Sequence, residues 1–432
     1  MHSSVDRRDF FKISSAAVLG AARAVAEEKP VRVGILGSGG RGTGLLGVLL
    51  SLQDVVVPAI CDISEKNLTR AQNLVEKAGQ PRPEGYSRGE HDFERLLQRD
   101  DLDAVVIASP WEWHTPMAVA AMRAGKYTAV EVPCALTYDQ CWQLVRTHES
   151  TKVPCMMLEN WSFRRDNLAV LNMIRAGLLG QMVHCHCAHS HDCIDHWFWD
   201  QDGNARWPAK YLINRNADQY PTHSLGPVLS WLDINHGDAF AHLTSTATDS
   251  RGINDYFART FGPNHPNAKL HYAQGDIVTS VVRTHQGRSI VINYDLQLPR
   301  PYDNRWMAQG TLGVYEEDRS VVYLDGRSPR RHEWEPFAPY QEKYENSWWK
   351  DLRSQAAPVS HAGTDLLELR EFIRAVRNKT QTPIDIYDSV TMSVVIPLSE
   401  ESIRKGGAPI ACPDFTGGRW QTRKPTFAVS ES

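Results

Sequence analysis

A glycine-rich turn near the start of the chain constrains its fold more than any other feature. The segment Gly37-Ser38-Gly39-Gly40-Arg41-Gly42 follows a short apolar run, Pro30 to Leu36, and precedes a helical stretch, Thr43 to Leu52. Glycines at this spacing allow a tight turn and let a pyrophosphate approach the N-terminus of the next helix, whose unpaired N–H groups favour anions. The sequence therefore predicts a dinucleotide-binding turn made by Gly37, Gly39, Gly40, Arg41 and Gly42.

An acidic residue supports this interpretation and selects the cofactor. Asp62 comes directly after the next strand candidate, Val55 to Ile60, close to the spacing of about 20 residues at which a carboxylate holds the adenosine ribose. A carboxylate there would repel a 2′-phosphate, so we expect NAD rather than NADP. The alternative is a glycine-rich turn with a solvent-facing Asp62, which leaves the combined spacing unexplained.

The order of elements predicts two domains. After the first strand, strand candidates at Val55 to Ile60, Ala104 to Ala108 and Tyr127 to Val132 alternate with helix candidates at Ser64 to Ala78 and Thr115 to Ala124. This rhythm predicts a doubly wound parallel sheet over residues 30–155. From Val183 onward, runs such as Ile277 to Thr284 and Ser289 to Gln297 predict an antiparallel sheet. We place that second α/β domain at residues 156–432, closed by helices over Asp365 to Arg377 and Asp388 to Lys405.

Two later strand ends should line the same crevice, because ligands of open α/β sheets bind at the carboxyl ends of the strands. The residues at these ends are Trp111, Glu112, Trp113 and His114 after one strand, and Glu131 and Val132 after the next. Taken singly, the two tryptophans are more often packing residues. Their position favours contact with the cofactor.

The N-terminal residues have the pattern of a targeting leader. A twin-arginine segment, Arg7 to Lys12, is followed by an apolar stretch, Ile13 to Val25, and by a cleavage candidate, Ala24-Val25-Ala26. The alternative is an amphipathic helix with an incidental arginine pair. We predict a signal peptide over residues 1–26 that directs a folded, cofactor-loaded protein to the periplasm or outer surface of a bacterium.

Composition excludes two other classes of protein. The formal net charge is -4 and the basic residues are scattered, so we expect no nucleic-acid partner. No apolar run reaches the roughly 18 to 20 residues that span a bilayer, so we expect no membrane span. The eight cysteines lack the spacing of a disulfide scaffold and are expected to be mostly buried free thiols.

A histidine- and cysteine-rich segment, residues 184–196, raises the question of a metal. On a strand, His184 and His186 would share one face and Cys185 and Cys187 the other, so no face collects a full ligand set. We therefore predict no metal site, and take His189 and His191 as candidate sugar contacts.

Motifs along nearly the whole chain resemble one superfamily. The matching segments are the twin-arginine leader, Gly37 to Gly42, Trp111 to His114, Glu131-Val132-Pro133, Met156 to Asn160, Ala169 to Gly180, Tyr220 to His223 with Gly226-Pro227, and Arg300-Pro301-Tyr302. The chain resembles the Gfo/Idh/MocA superfamily and, within it, glycoside hydrolase family 109, whose members bind NAD tightly and hydrolyse N-acetylgalactosaminides. The resemblance implies a Rossmann domain followed by an α/β domain with an open, mostly antiparallel sheet. We also expect a homo-oligomer.

The resemblance also implies roles for individual residues. It places NAD contacts at Gly40, Arg41, Asp62, Trp111 to His114, Glu131, Val132, Asn160 and Tyr220. It places sugar contacts at Tyr220, Pro221, Thr222, His223 and Tyr302. Glu159 is a further candidate for substrate binding, because its motif neighbours match the family, although it could instead be a surface carboxylate at a helix end. The implied mechanism oxidises the sugar at C3, eliminates the C1 substituent, adds water and reduces C3 again, with NAD regenerated. His223 is the candidate base, with Tyr220 and His189 as further catalytic candidates.

Three positions depart from the pattern that the resemblance implies. Val132 stands where the oxidoreductases of the superfamily usually carry Lys, which favours a glycosidase over a plain sugar dehydrogenase. His189 replaces a Tyr of the family and can carry a positive charge, and Pro208 replaces an Arg, so we expect an altered sugar subsite. Two alternatives remain: a dehydrogenase that releases NADH, and a non-catalytic module that binds NAD or a sugar.

Overall fold

The computed structural model describes residues 29–353 and 363–429. The predicted leader, residues 1–26, lies outside the described residues. The first sheet has six strands: β1 (Val31–Leu36), β2 (Val55–Cys61), β3 (Glu84–Tyr86), β4 (Ala104–Ile107), β5 (Tyr127–Val130) and β6 (Cys155–Met157). All pair in parallel in the order β3-β2-β1-β4-β5-β6, which confirms the predicted doubly wound sheet. Every residue of β4 is buried, as expected for a strand covered on both faces.

Five helices connect or flank these strands: α1 (Gly40–Ser51), α2 (Glu65–Lys77), α3 (Asp92–Leu97), α4 (Trp111–Arg123) and α5 (Tyr138–Thr151). The side chains of Ser64 and Thr137 cap α2 and α5 by accepting hydrogen bonds from backbone N–H groups. Helix α4 begins four residues before the predicted Thr115, because Pro110 takes the cap position, where its fixed φ suits a helix start and its missing N–H costs nothing. Trp111 to His114 therefore form the first turn of a helix.

The second sheet is built on nine strands. They are β7 (Met182–Ser190), β8 (Phe240–Ala247), β9 (Val278–Thr284), β10 (Ser289–Asp295), β11 (Met307–Gly310), β12 (Gly313–Glu316), β13 (Val321–Leu324), β14 (Glu335–Pro336) and β15 (Ile410–Ala411). The strand order is β14-β13-β12-β11-β7-β10-β9-β8-β15. The β7–β10 pair is parallel and the other pairs are antiparallel, so the mostly antiparallel prediction is confirmed.

The remaining helices are α6 (Arg165–Arg175), α7 (Ala209–Asn214), α8 (Pro221–Trp231), α9 (Gly252–Phe261), α10 (Pro266–Lys269), α11 (Ala338–Lys343), α12 (Ser347–Arg353), α13 (Thr364–Asn378), α14 (Ile386–Ser393) and α15 (Val395–Arg404). The stretch Asp388 to Lys405 is helical as predicted up to Arg404, with a one-residue break at Val394 between α14 and α15. Pro397 lacks the N–H that would bond the carbonyl of Ser393, so one continuous helix would lose that hydrogen bond.

Packing between these elements positions the site. Helix α8 packs on β7, and α13 packs on α1 next to the glycine turn. The largest fully buried side chains of this half include Trp231, Trp306 and Tyr315, in the same core. All eight cysteines are free and all but Cys412 are buried, which confirms that expectation. Among the described helices, none combines the length and apolar character needed to cross a membrane.

Candidate functional site

A cleft of about 560 Å³ lies at the carboxyl ends of β1, β2, β4 and β5. It gathers most of the residues predicted to contact the cofactor, although they come from five separate parts of the chain. These are Gly37, Gly39, Gly40, Arg41, Asp62, Trp111, Trp113, His114, Glu131, Val132 and Tyr220. The residues predicted to bind a dinucleotide therefore line one cleft.

The glycine turn is shaped to receive a phosphate. Gly37 has a φ of 89°, which L side chains rarely adopt. A Cβ on Gly42 would lie 2.0 Å from the carbonyl oxygen of Gly37, so Gly42 lines no cleft but allows the turn to close. A Cβ on Gly39 or Gly40 would meet nothing within 4 Å. The space above these two glycines, at the N-terminus of α1, fits a pyrophosphate.

Asp62 is held in place at the end of β2. Its Oδ2 accepts hydrogen bonds from the backbone N–H of Ser38 at 2.7 Å and from the Ser38 hydroxyl at 3.0 Å, while Oδ1 accepts from the N–H of Ser64 at 2.8 Å. The carboxylate is mostly buried yet lines the cleft. This fixed carboxylate fits the role of holding a ribose.

Arg41 joins the glycine turn to distant parts of the chain. Its Nε donates to Glu131 Oε1 at 2.6 Å, and its two terminal nitrogens donate to the carboxylate of Asp365 at 2.7 and 3.2 Å. Asn160 Nδ2 donates to the same carboxylate at 2.8 Å. Burial acts against the charge of Arg41, but Glu131 and Asp365 outweigh it and raise the pKa of the guanidinium above its usual value. The guanidinium is permanently charged and fixed.

A second carboxyl group lies buried on α13. Glu368 is fully buried, and neither of its oxygens has a hydrogen-bond partner among the described residues. Burial, and then the charge of Asp365, raise the pKa of Glu368 well above its usual value. Burial therefore favours the neutral form of the Glu368 carboxyl group.

A second cleft, of about 460 Å³, adjoins the first and shares four of its residues: Arg41, Glu131, Trp197 and Tyr220. Its other lining residues are Asn160, Trp161, His189, His191, Cys193, His196, His223 and Tyr302. The predicted sugar contacts Tyr220, His223, His189 and Tyr302 thus meet where the two clefts join. A substrate here would lie next to the inner end of the cofactor cleft.

His223 is paired with a buried carboxylate. Its Nδ1 lies 2.7 Å from Oε2 of Glu159, which is fully buried, so the surface alternative for Glu159 is wrong. The other oxygen, Oε1, accepts from the N–H of Trp161 at 3.0 Å. A Cβ on Gly226 would lie 2.8 Å from Cγ of Glu159, so glycine at this point of α8 makes room for the pair. The carboxylate fixes the orientation of the imidazole and leaves Nε2 as its free nitrogen.

Tyr220 is enclosed by rings at the N-terminus of α8. Its ring stacks on Trp111 at a centroid distance of 5.7 Å and lies 4.9 Å from the rings of both His189 and His223. Burial raises the pKa of the phenol well above its usual value, and the charge of Glu131 acts in the same direction. Tyr220 is therefore a neutral phenol, able to donate a hydrogen bond.

His189, near the end of β7, carries no charge at neutral pH. Burial first, and then His223 and His191, hold the pKa of its imidazole well below its usual value. The charged imidazole considered from the sequence is thus not the form present near pH 7. The Nδ1 of His189 lies 3.5 Å from the hydroxyl of Tyr302, so these two side chains make one wall of the second cleft.

Several predicted residues line neither cleft. Glu112 faces Lys210 and Tyr211, which contact its carboxylate at 2.5 and 3.0 Å. Pro208 is buried at the cap of α7, and Pro221 and Thr222 are buried in the first turn of α8. His114, by contrast, lines the cofactor cleft, but both its ring nitrogens are within 2.8 Å of backbone carbonyl oxygens and are therefore already engaged. These residues support the walls of the site.

Sequence reasoning missed other residues of the site. Asp365 lies 324 positions after Arg41, and nothing local in its helical pattern signals the contact. Trp197 lines the cofactor cleft and belongs to no motif, and Trp207, which also lines it, enters the family pattern only as the residue before Pro208. Trp161 could have been found, because it directly follows the Glu159-Asn160 motif.

Comparisons with known proteins agree with this geometry. Residues 163–422 match the family model "Glycosyl hydrolase 109, C-terminal domain", and residues 31–159 match "Oxidoreductase family, NAD-binding Rossmann fold". An α-N-acetylgalactosaminidase from Tannerella forsythia is 39% identical, with 98% of this chain and 99% of the relative covered. A glycosyl hydrolase family 109 protein from Stenotrophomonas maltophilia is also 39% identical, with 98% of each chain covered.

Solved structures share the fold at lower identity. An NAD-binding oxidoreductase from Klebsiella pneumoniae has a TM-score of 0.68 at 16% identity, covering 89% of this chain and 100% of its own. A levoglucosan dehydrogenase solved with NADH and L-sorbose has a TM-score of 0.66 at 17% identity, covering 90% and 100%. The near full-length match to its relatives decides the family: the chain belongs to glycosyl hydrolase family 109, with an N-terminal NAD-binding Rossmann domain.

Proposed function

We propose that this protein is an NAD-dependent glycosidase that cleaves N-acetylgalactosaminides or closely related glycosides. The observation that carries the proposal is the His223–Glu159 pair, which lies beside Tyr220 where the cofactor and substrate clefts join. The relative from Tannerella forsythia is named an α-N-acetylgalactosaminidase, which supports this choice of substrate class.

The cofactor cleft has the residues to hold NAD. The glycine turn would hold the pyrophosphate and Asp62 the adenosine ribose, while Tyr220 and Glu131 flank the inner end. When bound there, NAD supplies reversible oxidation of the sugar, at C3 in the mechanism that the family resemblance implies, and ends the cycle unchanged.

His223 moves the proton that this cycle requires. With Nδ1 held by Glu159, Nε2 is the nitrogen that exchanges a proton with the substrate. A ketone at C3 acidifies the C2 proton, which His223 takes as the C1 substituent leaves. After water adds at C1, the same proton returns to C2. The buried carboxylate of Glu159 stabilises the imidazolium between these two steps.

Tyr220 and Val132 shape the remaining chemistry. As a neutral phenol, Tyr220 donates a hydrogen bond to a sugar oxygen and keeps the substrate against the cofactor. Val132 is apolar and 2% exposed, so it cannot accept the hydroxyl proton during oxidation. Oxidation at C3 releases this proton in either cycle, so it must pass to another group of the cleft or to water, and it would return to the C3 oxygen when the ketone is reduced again.

Two assays test this proposal. Denaturing the purified protein and measuring released nucleotide should give NAD, and an empty site with no NAD affinity would refute the mechanism. A screen of nitrophenyl glycosides should show turnover without net NADH accumulation. Stoichiometric NADH would instead identify a dehydrogenase, and absence of turnover on every sugar would identify a binding module.

We also propose that the protein is exported by the twin-arginine route. The proposal is supported by Arg7-Arg8 followed by an apolar stretch and a small-residue cleavage candidate. Cell fractionation should find the protein in the periplasm or outside the cell. Replacing both arginines with lysine should retain it in the cytoplasm, and unchanged export of that variant would contradict the route.

A further inference from the structure

Three metal-ligating side chains meet at the edge of the substrate cleft. The ligand atoms of His191, Cys193 and His196 all lie within 4.8 Å of one another. The face argument made from the sequence does not apply to them, because β7 ends at Ser190. Residues 194–198 then form a single wide helical turn, which carries His196 back toward the other two side chains.

The spacing suits a tetrahedral transition-metal ion. Zinc takes thiolate sulfur at about 2.3 Å and imidazole nitrogen at about 2.0 Å, which puts the two donor atoms roughly 3.5 Å apart in a tetrahedron. Here Sγ of Cys193 lies 3.2 Å from Nε2 of His191. The backbone N–H groups of both residues bond carbonyls at the end of β10 and just after it, each at 3.0 Å. His196 is 56% exposed and can rotate to complete the set.

Two other clusters have side chains that could bind a metal, but arginines already contact their ligand atoms. In the cluster of His236, Asp385 and Asp388, Arg423 donates to both His236 and Asp385 and so occupies the space that an ion would take. The cluster of Asp303, Glu317 and Asp318 is already neutralised by arginines: Arg300 and Arg305 at Asp303, and Arg164 at Glu317. Neither offers a donor set open to a cation.

We propose that His191, Cys193 and His196 bind one borderline transition-metal dication, of which Zn²⁺ is the type. Two imidazoles and one thiolate form a three-ligand set of the kind that leaves a fourth position for water or substrate. All three side chains line the substrate cleft, and the ring of His191 lies 5.1 Å from that of His189 and 4.9 Å from that of Tyr302, so an ion held by them would lie beside the proposed sugar contacts. Binding of the ion does not depend on the proposed function. A role of the bound ion in holding a substrate oxygen does rest on the proposed function.

The test uses the full-length protein, stripped with a chelator and titrated with Zn²⁺ and, separately, Co²⁺. We expect one equivalent of either ion, and a thiolate-to-metal charge-transfer band with Co²⁺. Cys193→Ser and His196→Ala should each weaken Zn²⁺ binding by about 100-fold or more, since even outer-shell changes cost 10- to 100-fold. His196→Ala alters an exposed side chain, so its result is independent of any folding defect in Cys193→Ser.

Matched variants elsewhere serve as controls. Cys412→Ser removes the one partly buried thiol and His242→Ala an exposed imidazole on β8, and both should bind Zn²⁺ like the parent. Absence of stoichiometric binding, or equal binding by the parent and His196→Ala, would overturn the proposal. NAD content and glycoside turnover are measured on the same samples. A protein that binds Zn²⁺ but cleaves no glycoside refutes only the proposed function, and an active enzyme that takes up no Zn²⁺ in the titration refutes only the metal site.

Discussion

At the scale of single residues, the role proposed for His223 depends on its contact with the buried carboxylate of Glu159. Its contact with Glu159 is only possible because that carboxylate is fully buried and itself bonded to a backbone N–H. The sequence identified both residues through motifs but could not show that they touch, since they are 64 positions apart. The pair, rather than the histidine alone, is the unit that moves a proton.

Substitutions of His223 and Glu159 should separate the role of the base from that of the carboxylate that contacts it. His223→Ala removes the base and should lower kcat by about 10²- to 10⁴-fold. Glu159→Gln keeps an acceptor for the Trp161 N–H but removes the carboxylate charge that faces Nδ1 of His223, so we expect a smaller loss of kcat, with KM little changed. NAD content should stay at the parental level in both. A Glu159→Gln enzyme with the parental rate at every pH would contradict this.

His189 should determine which sugar is accepted. His189→Tyr lengthens the side chain opposite Tyr302 and, combined with Pro208→Arg, should raise activity on N-acetylgalactosaminides relative to other nitrophenyl glycosides. Pro208 is buried and lines neither cleft, so His189→Tyr alone should account for most of the change. The measurement is the ranking of kcat/KM across the screen. An unchanged ranking in the double variant would refute the role of these positions.

Asp218 should make stability depend on pH. It is 1% exposed, and its Oδ2 has no hydrogen-bond partner among the described residues. Burial raises the pKa of its carboxyl from 3.8 to about 7. The folded state therefore binds more protons than the unfolded state between these values, so the free energy of unfolding falls as pH rises through that window and levels off above it. The shift corresponds to roughly 4 kcal/mol.

Asp218→Asn should remove this decline, because its side chain is neutral at every pH. Urea unfolding at pH 4, 6 and 8 should then show the variant becoming more stable than the parent as pH rises. Asp325→Asn, which removes an exposed carboxylate, should follow the parental profile. A parental decline that persists in Asp218→Asn would assign the pH dependence to another group.

At the scale of elements, local patterns predicted most helices and strands, and the misses have specific causes. The periodicity of α14 and α15 is continuous, so only the backbone position of Pro397 reveals the break. The strand alternation considered for His184 to Cys187 likewise gives no end point, and the structure shows that β7 ends at Ser190 and that a helical turn follows. Alternation does not show where a strand stops, because that depends on its pairing with β10 and β11.

Helix α8 should tolerate no side chain at Gly226. A Cβ there would lie 2.7 Å from Oγ of Ser162 and 2.9 Å from Oε1 of Glu159, so Gly226→Ala should displace the carboxylate and lower kcat, as Glu159→Gln does. Gly44→Ala is the control, since a Cβ at this exposed position of α1 meets nothing within 4 Å. Replacing a helical glycine by alanine there should add up to about 1 kcal/mol of stability at unchanged activity. Parental kcat in Gly226→Ala would show that Glu159 can relocate without loss.

At the scale of the whole molecule, the site is assembled from segments that no sequence motif connects. Arg41 of the glycine turn, Asn160 after β6 and Asp365 on α13 form one hydrogen-bonded group. The sequence predicted Arg41 and Asn160 as cofactor contacts through the family resemblance, but a helix near the end of the chain gave no sign of its partner. Such contacts depend on how the elements pack, which a single sequence does not show.

Asp365 should therefore matter for both stability and cofactor retention. Its side chain is 1% exposed, and removing one partner of a buried ion pair typically costs 3–5 kcal/mol because the other charge is left uncompensated. Arg41 keeps Glu131 as a partner, so for Asp365→Asn we expect about 3 kcal/mol, together with reduced NAD content as the guanidinium loses its fixed position. Asp255→Asn breaks an exposed pair with Arg259 and should cost no more than about 1 kcal/mol at parental NAD content. Urea unfolding and nucleotide release measure both quantities, and equal losses in the two variants would show that the buried group does not connect α13 to the cofactor cleft.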